Sequence, residues 1–182
     1  MTAKERGSMA DLSPPPGWCR IDPDLAVAKV QVCGAADAPA RLSAALGIPP
    51  PAANRYSANS DIALAAIAPG EWLLTGSADG VAWALERAEA ALGEDTLLAL
   101  DVTDGLVALR LEGAAGTACL AAFTPLDLRP QALPVGAAVR TRFGDVGLFV
   151  ARTGDAPAYL LLAEQSYAPY ILHLIGQGAR SA

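Results

Sequence analysis

The stretch Ala137–Ala163, AAVRTRFGDVGLFVARTGDAPAYLLLA, decides the fold. Three runs rich in Val, Leu, Phe and Tyr are separated by Gly144-Asp145 and Gly154-Asp155. Gly supplies the positive φ of a tight turn, and Asp hydrogen-bonds its own backbone there. The spacing therefore predicts three consecutive strands, Ala137–Phe143, Val146–Arg152 and Ala158–Ala163. Connections this short make hairpins and not parallel crossovers.

The same reading extends upstream. Ile62–Ala68 and Glu71–Thr75 flank Pro69-Gly70, which predicts a hairpin. Leu25–Cys33 reads as a strand, and Thr96–Val102 and Leu106–Leu111 flank Thr103-Asp104-Gly105 as two more. Between them lie helical signals. Asp37 is placed to cap a helix running to Leu46, with Pro39 in its first turn and Gly47 as its stop. Asp79 is expected to cap a helix over Gly80–Leu92, where Val81, Leu85, Ala88 and Leu92 form one apolar stripe. Ala114–Phe123 is a third helix, ended by Pro125. Ser166 is expected to cap a fourth, Tyr167–Ile175, with Gly176 and Gly178 loosening its end. Asn54–Ser60 and Arg129–Val135 read as loops. The predicted order is β-α-β-β-α, then β-β-α-β-β-β-α. It points to a single α+β domain over residues 17–178, built of two related halves (about 17–95 and 96–178) with antiparallel-rich sheets and four helices. Met1–Pro16 is set aside as a disordered tail, either natural or left by cloning, Gly7-Ser8-Met9 having the pattern of a junction ahead of a native Met9.

Composition narrows the function classes. At 182 residues, 53% hydrophobic and 18% charged, the chain has enough apolar material for a core without staples. The apolar excess fits a large core, since alanine inflates the count, or else surface covered by a partner. The 13 basic and 19 acidic residues give a net charge of −6, and the basic ones stand apart. No cluster could track a phosphate backbone or an anionic bilayer, so neither nucleic acid nor membrane is an expected partner. No run reaches the ~18 apolar residues of a spanning helix, and Met1–Met9 lacks the apolar stretch of a signal peptide. Three widely spaced cysteines, Cys19, Cys33 and Cys119, make no disulfide framework and suit a reducing, cytoplasmic setting. Cys33 and Cys119 read as small core hydrophobes.

The search for chemistry is mostly negative. The single histidine, His173, has no cysteine nearby in sequence, so no metal site is expected. No G-x-S-x-G elbow presents a serine, which leaves only a Cys119–His173 pair as a nucleophile candidate. Gly76–Gly80 and Gly113–Gly116 open helices but match no phosphate-binding pattern. The carboxylates Asp101, Asp104 and Asp127 sit at turns, where a carboxylate accepts nearby backbone N–H groups. Alternatively such an Asp pairs an arginine, and Arg140 or Arg142 could be that partner. Arg140 and Arg142 alternate along a strand and share a face, open to solvent, Asp127 or another subunit. No catalytic residue is assigned.

Four motifs in series carry a resemblance. Pro69-Gly-Glu-Trp-Leu-Leu74 and Leu100-Asp-Val-Thr-Asp-Gly-Leu-Val-Ala-Leu-Arg-Leu-Glu-Gly113 are similar to runs of aminomethyltransferase-like folate-binding domains. Thr124-Pro-Leu-Asp-Leu-Arg-Pro130, with Pro134-Val-Gly136 and Val139-Arg-Thr-Arg142, resembles the gamma subunit family of heterotetrameric sarcosine oxidase, as does Ser166-Tyr-Ala-Pro-Tyr170. The resemblance implies the duplicated folate-binding-domain fold. It implies a non-catalytic subunit of an oxidase that demethylates sarcosine, or a related N-methyl amino acid, to glycine. The partners it implies are alpha, beta and delta subunits, and the cofactors, FAD, FMN and NAD, belong to the large ones, with tetrahydrofolate admitted on the large partner. None is expected on this chain. Asp101, Thr103, Asp127, Arg140 and Arg142 become candidates for fixing the fold or an interface. The chain departs from the family pattern at Thr124 (Cys there), Gly105 (Arg) and Arg129 (His). The alternative is a free-standing tetrahydrofolate-binding protein of one-carbon transfer, with Asp101 as the carboxylate beside the folate.

Overall fold

The computed structural model describes residues 14–181, so the tail expected over residues 1–16 lies for the most part outside the described residues. The strands are β1 (Cys19–Ile21), β2 (Ala26–Cys33), β3 (Tyr56–Ala58), β4 (Ile62–Ala68), β5 (Glu71–Gly76), β6 (Thr96–Asp101), β7 (Leu106–Glu112), β8 (Ala138–Phe143), β9 (Val146–Gly154) and β10 (Ala158–Glu164). The helices are α1 (Ala38–Leu46), α2 (Ala78–Leu92), α3 (Gly113–Phe123) and α4 (Ala168–Ser181). Two antiparallel sheets result, in the orders β3-β4-β5-β2-β6 and β8-β9-β10-β7-β1.

Three apolar clusters define the layering. Ala84, Ala88 and Leu92 of α2 and Leu42 and Leu46 of α1 pack on Val30, Leu64 and Leu74 of the first sheet. Cys119 and Leu120 of α3 and Ile171 and Ile175 of α4 pack on Leu109, Leu111 and Leu161 of the second. Between the sheets lie Val27, Ala65 and Leu73 from one and Ala108, Ala138, Ala151 and Leu160 from the other. The molecule is thus a helix–sheet–sheet–helix sandwich, with a central seam rich in alanine. Each fully buried leucine contributes roughly 1.5–3 kcal/mol over its exposed state.

The topology has one turn that local patterning does not announce. β6 and β7 are consecutive and separated only by a 3-10 turn, Thr103–Gly105, yet they do not pair. β6 joins the first sheet beside β2, and β7 joins the second beside β10 and β1. β1 makes the opposite passage, pairing with β7 before the chain enters β2 in the first sheet. The first sheet is therefore made of the consecutive strands β2–β6, and the second takes its edge strand β1 from ahead of them in the chain.

Several local expectations are corrected. The segment read as a polar loop, Asn54–Ser60, contains the short strand β3, whose Tyr56 N–H donates to Gly136 O (2.9 Å) across to the second sheet. The cap of α2 is Ser77, whose Oγ accepts from Gly80 N (3.1 Å), and Asp79 lies inside the first turn. Asp37 stands at the α1 N-cap without a side-chain cap bond, its carboxylate facing Arg41 instead. Ser166 falls in a 3-10 turn, Gln165–Tyr167, which leads into α4. Gly176 and Gly178 do not end that helix. A Cβ at Gly178 would lie 2.9 Å from Cys119 Sγ, so close approach of α4 to α3 selects the glycine. Gly70 serves the turn as expected, with φ +69° and room for a Cβ only 2.5 Å from Val32 O.

Candidate functional site

The crossovers bring the candidates Asp101 and Thr103 to the seam between the sheets. Thr103 Oγ1 accepts from Val27 N (2.9 Å) and donates to Val27 O (3.2 Å), so one hydroxyl replaces a missing rung of the β2–β6 ladder. Asp101 Oδ1 accepts from Thr103 N (2.8 Å), closing the turn as an Asx bond. Beside this turn is a cleft of about 680 Å³, lined by Asp22, Leu25, Thr103, Asp104, Leu106 and Gln165 among others. Asp22 is held by Arg110, whose Nε donates to Asp22 Oδ2 (2.6 Å), while Asp104 is exposed. Polar groups here mostly close on one another and on the backbone.

Arg140 and Arg142 are both exposed on the face of β8 that continues the seam, and they do not act together. Arg140 reaches across to the first sheet and pairs with Glu71, which also binds Lys29 Nζ (3.1 Å). Burial alone would raise the Glu71 carboxyl, but hydrogen bonds from Lys29 and Arg140 outweigh it and hold the group below its ordinary value. Arg142 instead caps its own hairpin, donating from Nη2 to Asp145 O (2.8 Å). Neither arginine meets Asp101 or Asp127. Asp127 is satisfied locally by Arg129, through the backbone N–H (3.0 Å) and the guanidinium Nε (2.9 Å). The side-chain bonds come first among the causes that lower its carboxyl to about 2.

Three groups escaped sequence reasoning. Glu71 is the hub of two ion pairs, one within its sheet to Lys29 and one across the sheets to Arg140. Its signal was a charged residue on the same strand face as Leu73, with Lys29 two strand positions from Gln31 directly opposite it. Asp22 lay outside any element recognised in the sequence. Arg152 is buried, with Nη1 donating to Leu133 O (2.9 Å) and weaker bonds to Gly154 O and Asp155 O (3.4 Å each). It fastens the loop ahead of β8 to β9.

The two buried thiols are poor nucleophiles. Cys119 is buried and its thiol pushed up to about 11, and Cys19 is pushed up to about 12 by burial first and by Cys119 second. Cys33 is exposed, contrary to the core position expected for it. His173 is exposed on α4 and its Nε2 lies 2.7 Å from Gln177 Nε2. Among the described residues no group of three or more His, Cys, Asp or Glu gathers as a metal site, and no helix is long and apolar enough to cross a membrane.

Two antiparallel sheets sandwiched between helix pairs make the chain an α+β protein. The fold is similar to aminomethyltransferase T of the glycine cleavage system from Bartonella henselae (TM-score 0.65, 15% identity, 89% of this chain and 46% of that chain). It is similar also to a chain of the heterotetrameric sarcosine oxidase from Corynebacterium sp. U-96 in complex with pyrrole 2-carboxylate (TM-score 0.80, 24% identity, 90% of this chain and 83% of that chain). Residues 32–181 match the model of the sarcosine oxidase, gamma subunit family, and the chain belongs to that family. A curated relative, sarcosine oxidase subunit gamma from Corynebacterium sp. (strain U-96), is 29% identical over 136 residues. That match takes in 74% of this chain and 65% of the relative's length.

Proposed function

We propose that the chain is the non-catalytic gamma subunit of a heterotetrameric sarcosine oxidase-like flavoenzyme, located in the cytoplasm. The single observation that carries this reading is the family match over residues 32–181. The likeness in fold to a chain of a sarcosine oxidase heterotetramer agrees with it. In this reading the complex oxidises sarcosine, or a related N-methyl amino acid, to glycine. The partners are alpha, beta and delta subunits; FAD, FMN and NAD belong to the large ones, with tetrahydrofolate, where used, on the large partner. The local chemistry supports a structural role: Asp101, Thr103 and Asp127 spend their hydrogen bonds on turns, Arg140 on a clamp between sheets and Arg142 on a hairpin. The fold reads as two related halves, about 17–95 and 96–178. In support, the order β-β-α-β-β-β-α occurs twice along the chain. The sheets then run β3-β4-β5-β2 and β8-β9-β10-β7 in corresponding positions.

The test is purification from the native host through a tag on this chain, followed by anaerobic addition of sarcosine. The expected isolate is yellow, holds larger subunits and loses its flavin absorbance on addition. A colourless single chain contradicts the proposal.

A further inference from the structure

The two sheets have four edge strands, and three are blunted. β1 is three residues long and carries Arg20, β3 is three residues long, and β8 carries Arg140 and Arg142. Short strands and edge cations are the usual protection against adding another chain. β6 has neither. It is six residues, TLLALD, with its only charge at the end, and Leu98 and Leu100 are 45% and 50% exposed. Val102 N donates to Val27 O (2.9 Å), which fixes the hydrogen-bond alternation of the β2–β6 pair. Leu100 and Leu98 then bond inward to Lys29 and Gln31, their register partners. The N–H and C=O groups of Leu97, Ala99 and Asp101 point away from the sheet, along an edge that no described strand pairs.

The face beside this edge is specific in charge. Leu98 and Leu100 share it with Gln31 and Lys29, and beyond them with Glu71 and Arg140. Two cations meet one carboxylate, so this corner is net positive on a chain of net −6. A strand added to β6 lies about 10 Å from β2, a gap that a Glu and a Lys side chain span jointly.

We propose that β6 is the docking edge for an extended segment of a larger partner subunit. That segment adds as a sixth strand, lays apolar side chains over Leu98 and Leu100 and directs a carboxylate toward Lys29. The proposal rests on the reading of the chain as a subunit.

The experiment uses hydrogen exchange and co-purification with the full chain, alone and in the complex drawn from its host with the flavin-bearing subunits. In the isolated chain the outward amides of Leu97, Ala99 and Asp101 exchange fast, and in the complex they are protected. Leu98→Glu/Leu100→Glu lowers recovery of the flavin-bearing subunits by at least about tenfold. Ala99→Pro, which removes only an outward N–H, does the same with β2 pairing retained. Trp83→Ala, on the outward face of α2, leaves recovery unchanged. Unprotected β6 amides in an intact complex, or full recovery with either β6 variant, overturns the proposal. Protection already present in the isolated monomer overturns it in favour of this chain's own residues. A dimer dissolved by Leu98→Glu overturns it in favour of a second copy. Failure of the unsubstituted chain to bring down any flavin-bearing subunit refutes the subunit reading itself, which separates the two failures.

Discussion

Strands β1 and β6 hold corresponding places, each the outermost strand beside the long first strand of its sheet, and they are finished differently. At β1 the chain closes on itself. Arg110 clasps Asp22 at 2.6 Å, Arg20 stands over the same carboxylate, and Asp22 N–H continues the ladder to Ala108 O. At β6 exposed leucines stand on an open backbone edge. The contrast teaches that apolar exposure here is local, since the same fold supplies a polar finish at the corresponding edge. What distinguishes the regions is the side chains they present, charged and paired at β1 and apolar and exposed at β6.

That contrast can be broken by substitution. The largest effect is expected at Arg152, in the self-closed sheet. Arg152→Leu strands the buried carbonyl of Leu133, gives up the weaker part-buried bonds to Gly154 O and Asp155 O, and lowers stability by about 3 kcal/mol, read from urea unfolding midpoints. Next is Asp22→Ala, which leaves Arg110 without its carboxylate in a site where Asp22 is mostly buried, at a cost of about 2 kcal/mol. Thr103→Val removes both bonds to Val27 and costs about 1–2 kcal/mol, where Thr103→Ser retains most of the stability.

Much of this architecture was legible in the sequence. Turns marked by Gly144-Asp145, Gly154-Asp155 and Pro69-Gly70 gave the meander and the hairpin, because hairpin geometry is decided by neighbouring residues. The stripe on α2 gave a helix whose Val81, Ala88 and Leu92 are buried, while Leu85 is half-buried and Ala84 takes the buried place beside it. What could not be read was non-local. β1 and β3 have three residues each, too few to show a period, and they exist because longer strands offer them ladders. The separation of β6 from β7 into different sheets depends on which strands wait to receive them, and nothing in Thr103-Asp104-Gly105 states that. Asp101 and Asp127 were readable as turn carboxylates. Arg140's partner was not, since Glu71 stands on another strand in the opposite sheet.

Smaller effects sharpen the comparison from the other side. Glu71 titrates below its ordinary value of 4.5, so its contribution to stability is complete above that value. It is lost as pH falls through the lower folded value. Glu71→Gln is expected to flatten the fall in stability on the acid side of pH 4.5, measured as unfolding midpoints across that range. Leu98→Glu/Leu100→Glu, by contrast, is expected to leave the isolated chain within about 0.5 kcal/mol of the unsubstituted one, because neither leucine is buried there. A large loss of stability in that variant would mean that β6 belongs to the core and not to an interface.

The central claim is that this subunit works through a surface and holds no reacting group. Native mass spectrometry of the particle purified from the host through this chain tests it most directly. The account predicts a particle containing larger flavin-bearing subunits, from which this chain dissociates with the mass of its polypeptide alone. A lone chain, or a chain leaving the particle with flavin, NAD or tetrahydrofolate bound to it, would contradict the account.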